Sequence, residues 1–184
     1  MQKEGTPKSK QAAQSRITLS RALIVIFVIT AIILLGFRTS NPQQPAPDFT
    51  LDDIHGNRVT LNNYRGTVVL LEFTATWCDT CEEQTAKLLK ISQSYGRQVV
   101  IISISVDPSY DTVDRLATYV KTQNISWIVC RDTKDVTQTY RVEMLPSLFL
   151  IDQHQTIRWQ HKTGNLVSSE TLSEQITRLL KEHE

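Results

Sequence analysis

Two apolar, β-branched runs, residues 68–73 (VVLLEF) and 99–106 (VVIISISV), bracket a segment of helical composition, and this triplet restricts the fold more than anything else in the chain. Runs apolar at nearly every position suit central strands buried on both faces, as in a parallel sheet. The segment between them, 82–95, carries Ala86, Leu88, Leu89 and Ile91, and Gly96 follows as a stop. Strand, helix and strand in that order predict a right-handed βαβ unit.

Further along, Asp111-Thr-Val-Asp114 reads as an N-terminal capping box, with Val113, Leu116, Ala117 and Val120 at helical spacing behind it. Residues 127–130 form a short strand candidate and 133–140 a short helix or turn. Residues 147–151 and 156–161 read as two strands joined by a hairpin-length connection. Gly164 breaks the pattern, and Ser169 caps a last helix over 170–182, whose Leu172, Ile176, Leu179 and Leu180 share one face. The expected class is α/β: a mixed central sheet flanked by helices on both faces.

The first 45 residues differ in kind. Residues 1–21 hold Lys3, Lys8, Lys10, Arg16 and Arg21 against Glu4, a net +4, and 22–37 (ALIVIFVITAIILLGF) carry no charge. The uncharged run would form a helix of about 24 Å, short of the roughly 30 Å of a bilayer core, with Arg21 and Arg38 able to snorkel. A basic arm before such a run predicts a cytoplasmic N-terminus, 1–21 disordered, a transmembrane anchor at 22–37 and the rest outside the cytoplasm. No convincing small-x-small cleavage site follows, so the uncleaved anchor is preferred over a signal peptide, and over a buried core helix. Residues 38–45, overlapping the Pro-rich stretch TSNPQQPAP (39–47), read as a tether, and 46–184 as the folded domain.

Cys78 and Cys81, in Trp77-Cys78-Asp79-Thr80-Cys81, fall between the first central strand and the first long helix. A cysteine at a helix N-terminus meets unpaired N–H groups and the positive end of the macrodipole, which favour a thiolate. Cys78 is therefore the expected nucleophile, and Cys81, one turn later, the partner that closes a disulfide. Two inert structural cysteines are the bland alternative. A zinc half-site would need further ligands, yet His55, His154, His161 and His183 are scattered singly. No metal or cofactor is expected.

The stretch 46–81, APDFTLDDIHGNRVTLNNYRGTVVLLEFTATWCDTC, resembles the opening of a TlpA/ResA-like thioredoxin-fold protein, and the likeness continues through ISVDPS (104–109), YRVEMLPSLFLID (140–152) and the closing helix. The resemblance implies a thioredoxin-like fold and a membrane-anchored thiol–disulfide oxidoreductase with protein disulfide or dithiol substrates, commonly a reductase in cytochrome c maturation, fed by a membrane thiol carrier. It implies that Pro146 is the cis-proline, that Leu145 pairs with an extended substrate segment, and that Trp77 forms part of the apolar rim. It also puts a buried acid at Glu72, able to exchange a proton with Cys81; a solvent-facing strand glutamate and a trans proline are the rival readings. The chain departs from the family in Asp79-Thr80, where a proline is usual. The Asp79 charge opposes the helix dipole and shifts the couple toward the reducing side.

A near-balanced composition, 20 Lys+Arg against 19 Asp+Glu, excludes a broad nucleic-acid surface, and three cysteines exclude a disulfide-stapled miniprotein. Nothing calls for more than a monomer. Rival functions are a disulfide-forming oxidase, a peroxiredoxin-like peroxidase, which would need Thr or Ser where this chain has Ala75, and a metal-delivery module, for which His154 is the loose candidate. Cys130 is expected buried and free, and Asn124-Ile-Ser126 matches a glycosylation sequon.

Overall fold

Buried strands sit at the middle of the sheet because their sequences leave no polar face to show to water. The computed structural model describes residues 44–182. Its elements are β1 (Gln44–Pro45), β2 (Thr50–Asp52), β3 (Arg58–Thr60), β4 (Val68–Thr74), α1 (Asp79–Tyr95), β5 (Val99–Ser105), α2 (Val113–Thr122), β6 (Ile128–Arg131), α3 (Val136–Thr139), β7 (Ser147–Ile151), β8 (Thr156–His161) and α4 (Ser169–Lys181). The predicted cytoplasmic arm 1–21, the anchor 22–37 and most of the tether lie outside the described residues. Among those that are described, no helix is long and apolar enough to cross a membrane.

The six-stranded sheet runs β1-β8-β7-β4-β5-β6. β4, β5 and β6 are parallel, β7 is antiparallel to β4, and β8 and β1 continue antiparallel to one edge. Every residue of β4 and β7, the two central strands, is buried. Gln44 and Pro45, at the end of the predicted tether, pair with Ile157 and Thr156 as the edge strand.

The period-2 alternation of β4 divides the core. Val68 and Leu70 face Leu88 and Ile91 of α1 and Leu172, Ile176 and Leu179 of α4. Val69, Leu71 and Phe73 face the opposite side, with Phe49, Leu51, Val59, Leu61, Val136, Tyr140 and Phe149. Two right-handed crossovers moving the same way across the sheet put their helices on one face. Accordingly α2 is tied to α1 through Thr85 and Tyr119 hydroxyls 3.2 Å apart and by Gln123 Nε2 donating to Glu82 at 2.8 Å. The long helices thus share one face. The other is covered by the antiparallel β2–β3 hairpin, the 3-10 turn Leu61–Tyr64 and short α3, where the sequence led us to expect helices on both.

Helix starts differ by small steps. Thr112, not Asp111, caps α2, its hydroxyl accepting from Arg115 N, and Ser168 rather than Ser169 caps α4 by accepting from Thr171 N. α1 begins at Asp79 with Cys78 as N-cap, earlier than its apolar pattern begins, and ends at Gly96, which has a positive φ. Of the α2 apolar set only Leu116 is buried, whereas Val113 and Ala117 are exposed.

Candidate active site

The register brings four loops to one end of the sheet. β4 ends at Thr74 beside Ser105 of β5, β7 begins at Ser147 beside Phe73, and β8 ends at His161 beside Leu148. Residues 75–78, 106–112, 143–146 and 162–167 therefore crowd together. The β7–β8 turn with His154 sits at the opposite end, which removes it from the cysteines.

Cys78 and Cys81 are joined in a disulfide with Cα atoms 5.2 Å apart. Cys78 is half-buried and Cys81 fully buried, so an incoming thiol meets Cys78 first. As N-cap, Cys78 has extended backbone, and its Sγ accepts from Cys81 N at 3.2 Å. The same N–H that completes the helix start thus points at the sulfur on which a thiolate would form. Asp79 and Glu82 in the first turn of α1 add negative charge beside it.

Beneath α1, Glu72 is 1% exposed on β4, on the same face as Val68 and Leu70. Burial pushes its carboxyl up to about 7, against a smaller downward pull from the Ser103 hydroxyl. Ser103 Oγ donates to Glu72 Oε2 at 2.5 Å, while Oε1 has no hydrogen-bond partner among the described residues. The solvent-facing alternative for Glu72 is thereby excluded.

The Leu145–Pro146 peptide is cis, as the resemblance implies, with Pro146 buried and Leu145 half-buried. Ser147 Oγ donates to Met144 O at 2.6 Å, pinning the turn. Gly164, φ +73°, packs against it: a Cβ there would lie 3.1 Å from Leu145 O and 3.3 Å from Met144 Cβ. Trp77 is 52% exposed and Met144 54%. The other exposed large apolar side chains among the described residues are Tyr110, Val113 and Leu166. All five belong to these loops or to the first residue of α2. A cleft of about 580 Å³ continues the surface past Thr76, between Tyr110, Arg115 and Tyr119.

Sequence reasoning missed the groups that hold the cysteine loop. Asp111, read as a helix cap, is fully buried and accepts from Thr76 N at 3.0 Å, from the Thr76 hydroxyl, and from Ser105 Oγ at 2.5 Å. Asp107 accepts from Trp77 Nε1 at 3.3 Å and from Tyr110 N at 3.1 Å. The available signal was Ser103 and Ser105, two hydroxyls at period 2 within an apolar strand, where buried polar groups require partners.

Cys130 is buried and free, and burial pushes its thiol up to about 12. Asn124 is exposed with φ 55° at the end of α2. Among the described residues no group of His, Cys, Asp or Glu could hold a metal ion. Ala75 is buried and has no hydroxyl with which to orient a peroxide, and the Thr76 hydroxyl is committed to Asp111.

A C-x-x-C disulfide at the head of the first helix, a cis-proline at the same end of the sheet and a buried acid beneath define a redox protein of thioredoxin-like fold. The chain belongs to the AhpC/TSA family, whose model matches residues 42–160. It is 28% identical over 165 residues to the thiol-disulfide oxidoreductase ResA of Geobacillus kaustophilus, spanning 85% of this chain and 92% of that one. It is 24% identical over 127 residues to the thioredoxin-like protein YneN of Bacillus subtilis, spanning 69% and 74%. The crystal structure of a thioredoxin-family thiol:disulfide interchange protein from Chlorobium tepidum superposes with a TM-score of 0.68, covering 77% of this chain and 99% of that one at 19% identity, a likeness of fold. The chain is a thiol–disulfide oxidoreductase that carries a Cys78–Cys81 disulfide.

Proposed function

We propose that the protein is a membrane-tethered reductase of protein disulfides outside the cytoplasm, held by residues 22–37 with 1–21 on the cytoplasmic side. The observation that carries the reading is the asymmetric cysteine pair: Cys78 is accessible at the N-cap of α1, and Cys81 is buried. With the pair reduced, the Cys78 thiolate attacks a substrate disulfide lying along Leu145-Pro146. One substrate sulfur leaves as a thiolate that takes up a proton, and a mixed disulfide forms. Cys81 passes its proton to Glu72 and attacks Cys78 Sγ. The mixed disulfide breaks, the second substrate thiol leaves, and the 78–81 disulfide closes. Two electrons have passed to the substrate, and a membrane dithiol carrier restores them.

The exposed collar of Trp77, Met144 and Tyr110 suits docking of a protein rather than a small molecule. Asp79 and Glu82 beside Cys78 make the thiolate more costly, which favours the disulfide and hence a reducing couple. Substrates are exported proteins with paired cysteines, apocytochrome c before haem attachment among them. The direction is tested by equilibrating the Cys78–Cys81 couple against redox buffers. A potential near that of thioredoxin, about −270 mV, is expected; one near −120 mV would make the protein a disulfide-forming oxidase and sink the reading. Alkaline extraction of membranes from expressing cells tests the anchor: the full chain should stay in the pellet, and loss of 22–37 should release it.

A further inference from the structure

Glu72 does not meet β5 symmetrically. Ser103, its register partner on that strand, sits between two groups of fixed role. Trp127 Nε1 approaches Ser103 Oγ at 2.8 Å, and an indole N–H can only donate. Ser103 must therefore accept from Trp127, and its own single proton is left for Glu72 Oε2, 2.5 Å away. Were Glu72 to carry its proton on Oε2, that oxygen would either turn the proton on Ser103 or be left a poor acceptor for it. The Ser103 proton would then be stranded in a site 2% exposed, at the cost of an unmade buried hydrogen bond. Oε2 is thus held as an acceptor whether Glu72 is charged or neutral. Oε1 has no partner among the described residues, and neither has the Thr74 hydroxyl, two residues nearer Cys78 on the same face of β4.

We propose that Ser103 and Trp127 are positioning residues of the exchange reaction: by committing the Ser103 proton to Glu72 Oε2, they make Oε1 the oxygen that takes the proton of Cys81 and gives it back. This rests on the reading of Glu72 as proton partner of Cys81, and it specifies how that carboxyl is oriented. The proton leaves Cys81 Sγ for Oε1 as the sulfur attacks, and returns when the 78–81 disulfide is reduced, so no further reactant is needed. Of the buried side chains of α1, the one that can titrate is Cys81. α2 contributes Tyr119, whose hydroxyl lies 3.2 Å from Thr85 Oγ1 and whose proton is held more tightly through burial and the nearby Glu72 charge. From β7 the residue opposite Glu72 is Leu148, and β6 places Val129 opposite Ser103.

The test follows the carboxylic C=O stretch of Glu72 by infrared spectroscopy across pH, together with the pH profile of Cys81 attack on a preformed Cys78 mixed disulfide. Both are measured on the full-length chain. Glu72→Gln identifies the band by removing it. Ser103→Ala is expected to move the midpoint of the band upward by about one pH unit, since the charged carboxylate loses a donor. The rising limb of the rate profile should move with it, slowing resolution at pH 7 about five-fold. Ser103→Thr keeps the hydroxyl and should restore both midpoints. Trp127→Phe frees the Ser103 rotor and should shift them upward by less than Ser103→Ala does. If Ser103→Ala and Trp127→Phe leave band and rate limb where they are, the proposal is overturned, and Trp127→Phe decides alone should Ser103→Ala fail to fold. If instead Glu72→Gln leaves the rate profile unchanged while Ser103→Ala still moves the band, the proton-partner reading fails, although Ser103 orients the carboxyl.

Discussion

Replacing Glu72 by Gln tests the buried carboxyl through protein stability, independently of any substrate. In the folded oxidised protein the carboxyl is pushed up to about 7 from an ordinary value of 4.5, by burial first, with the Ser103 hydrogen bond pulling the other way. Between those two values the native state holds a proton that the unfolded chain has released. Glu72 therefore leaves stability intact below pH 4.5 and erodes it as pH rises, with the loss complete just above pH 7. The displacement from 4.5 to about 7 corresponds to about 3 kcal/mol. Glutamine keeps the shape and an acceptor for Ser103 but never ionises, so this slope vanishes in the variant. Urea unfolding of both oxidised proteins, followed by tryptophan fluorescence from pH 4 to pH 8, reads the effect as a difference of differences in which the packing offset of the amide cancels. The stability of Glu72→Gln relative to the parent should rise by about 3 kcal/mol over that range, at unchanged urea sensitivity. A relative stability flat to within about 1 kcal/mol would mean that Glu72 ionises as freely folded as unfolded, and the argument from burial would be refuted.

Other outcomes follow from the same geometry. In the reduced protein at pH 8, iodoacetamide should label Cys78 within minutes and leave Cys130 untouched until denaturant is added, because burial holds that thiol near 12; peptide mass mapping reads both. Asp111→Ala strands the Thr76 amide and the Thr76 and Ser105 hydroxyls, and should cost about 3 kcal/mol in urea unfolding. Ser168→Ala removes the cap from α4 and should cost about 1 kcal/mol, seen as a lower thermal midpoint by circular dichroism.

The buried strands were legible because burial on both faces leaves a mark that needs no tertiary knowledge: β7 falls where the sequence puts it, and β4 and β5 within one residue, while part-buried β8 was placed by its hairpin-length connection to β7. Cys78 and Cys81 were legible because a motif at a strand–helix junction carries local geometry, whereas the cis Pro146 was legible through the family resemblance. The β2–β3 hairpin escaped the residue-level reading because three-residue strands are too short to show a period. Asp111 was misassigned because Asp before a helix serves equally well as a cap or as a buried acceptor. Only the folded loop, bringing Thr76 across 35 positions of chain, decides between them. The long helices share one face because of crossover direction, which the order of elements in sequence leaves open until strand neighbours are known.

Gly164 has a consequence for how variation at this site would be read. Its positive φ and the 3.1 Å approach to the Leu145 carbonyl mean that alanine there brings local strain of about 1–2 kcal/mol and a nudge to the peptide before Pro146. A domain of this size survives such a cost, so a library ranked by expression or melting would file position 164 with the tolerant surface loops. Ranked by exchange with a protein disulfide, the same library would mark it as intolerant. Mutational maps made by the two selections should disagree at a residue that bears no functional group at all.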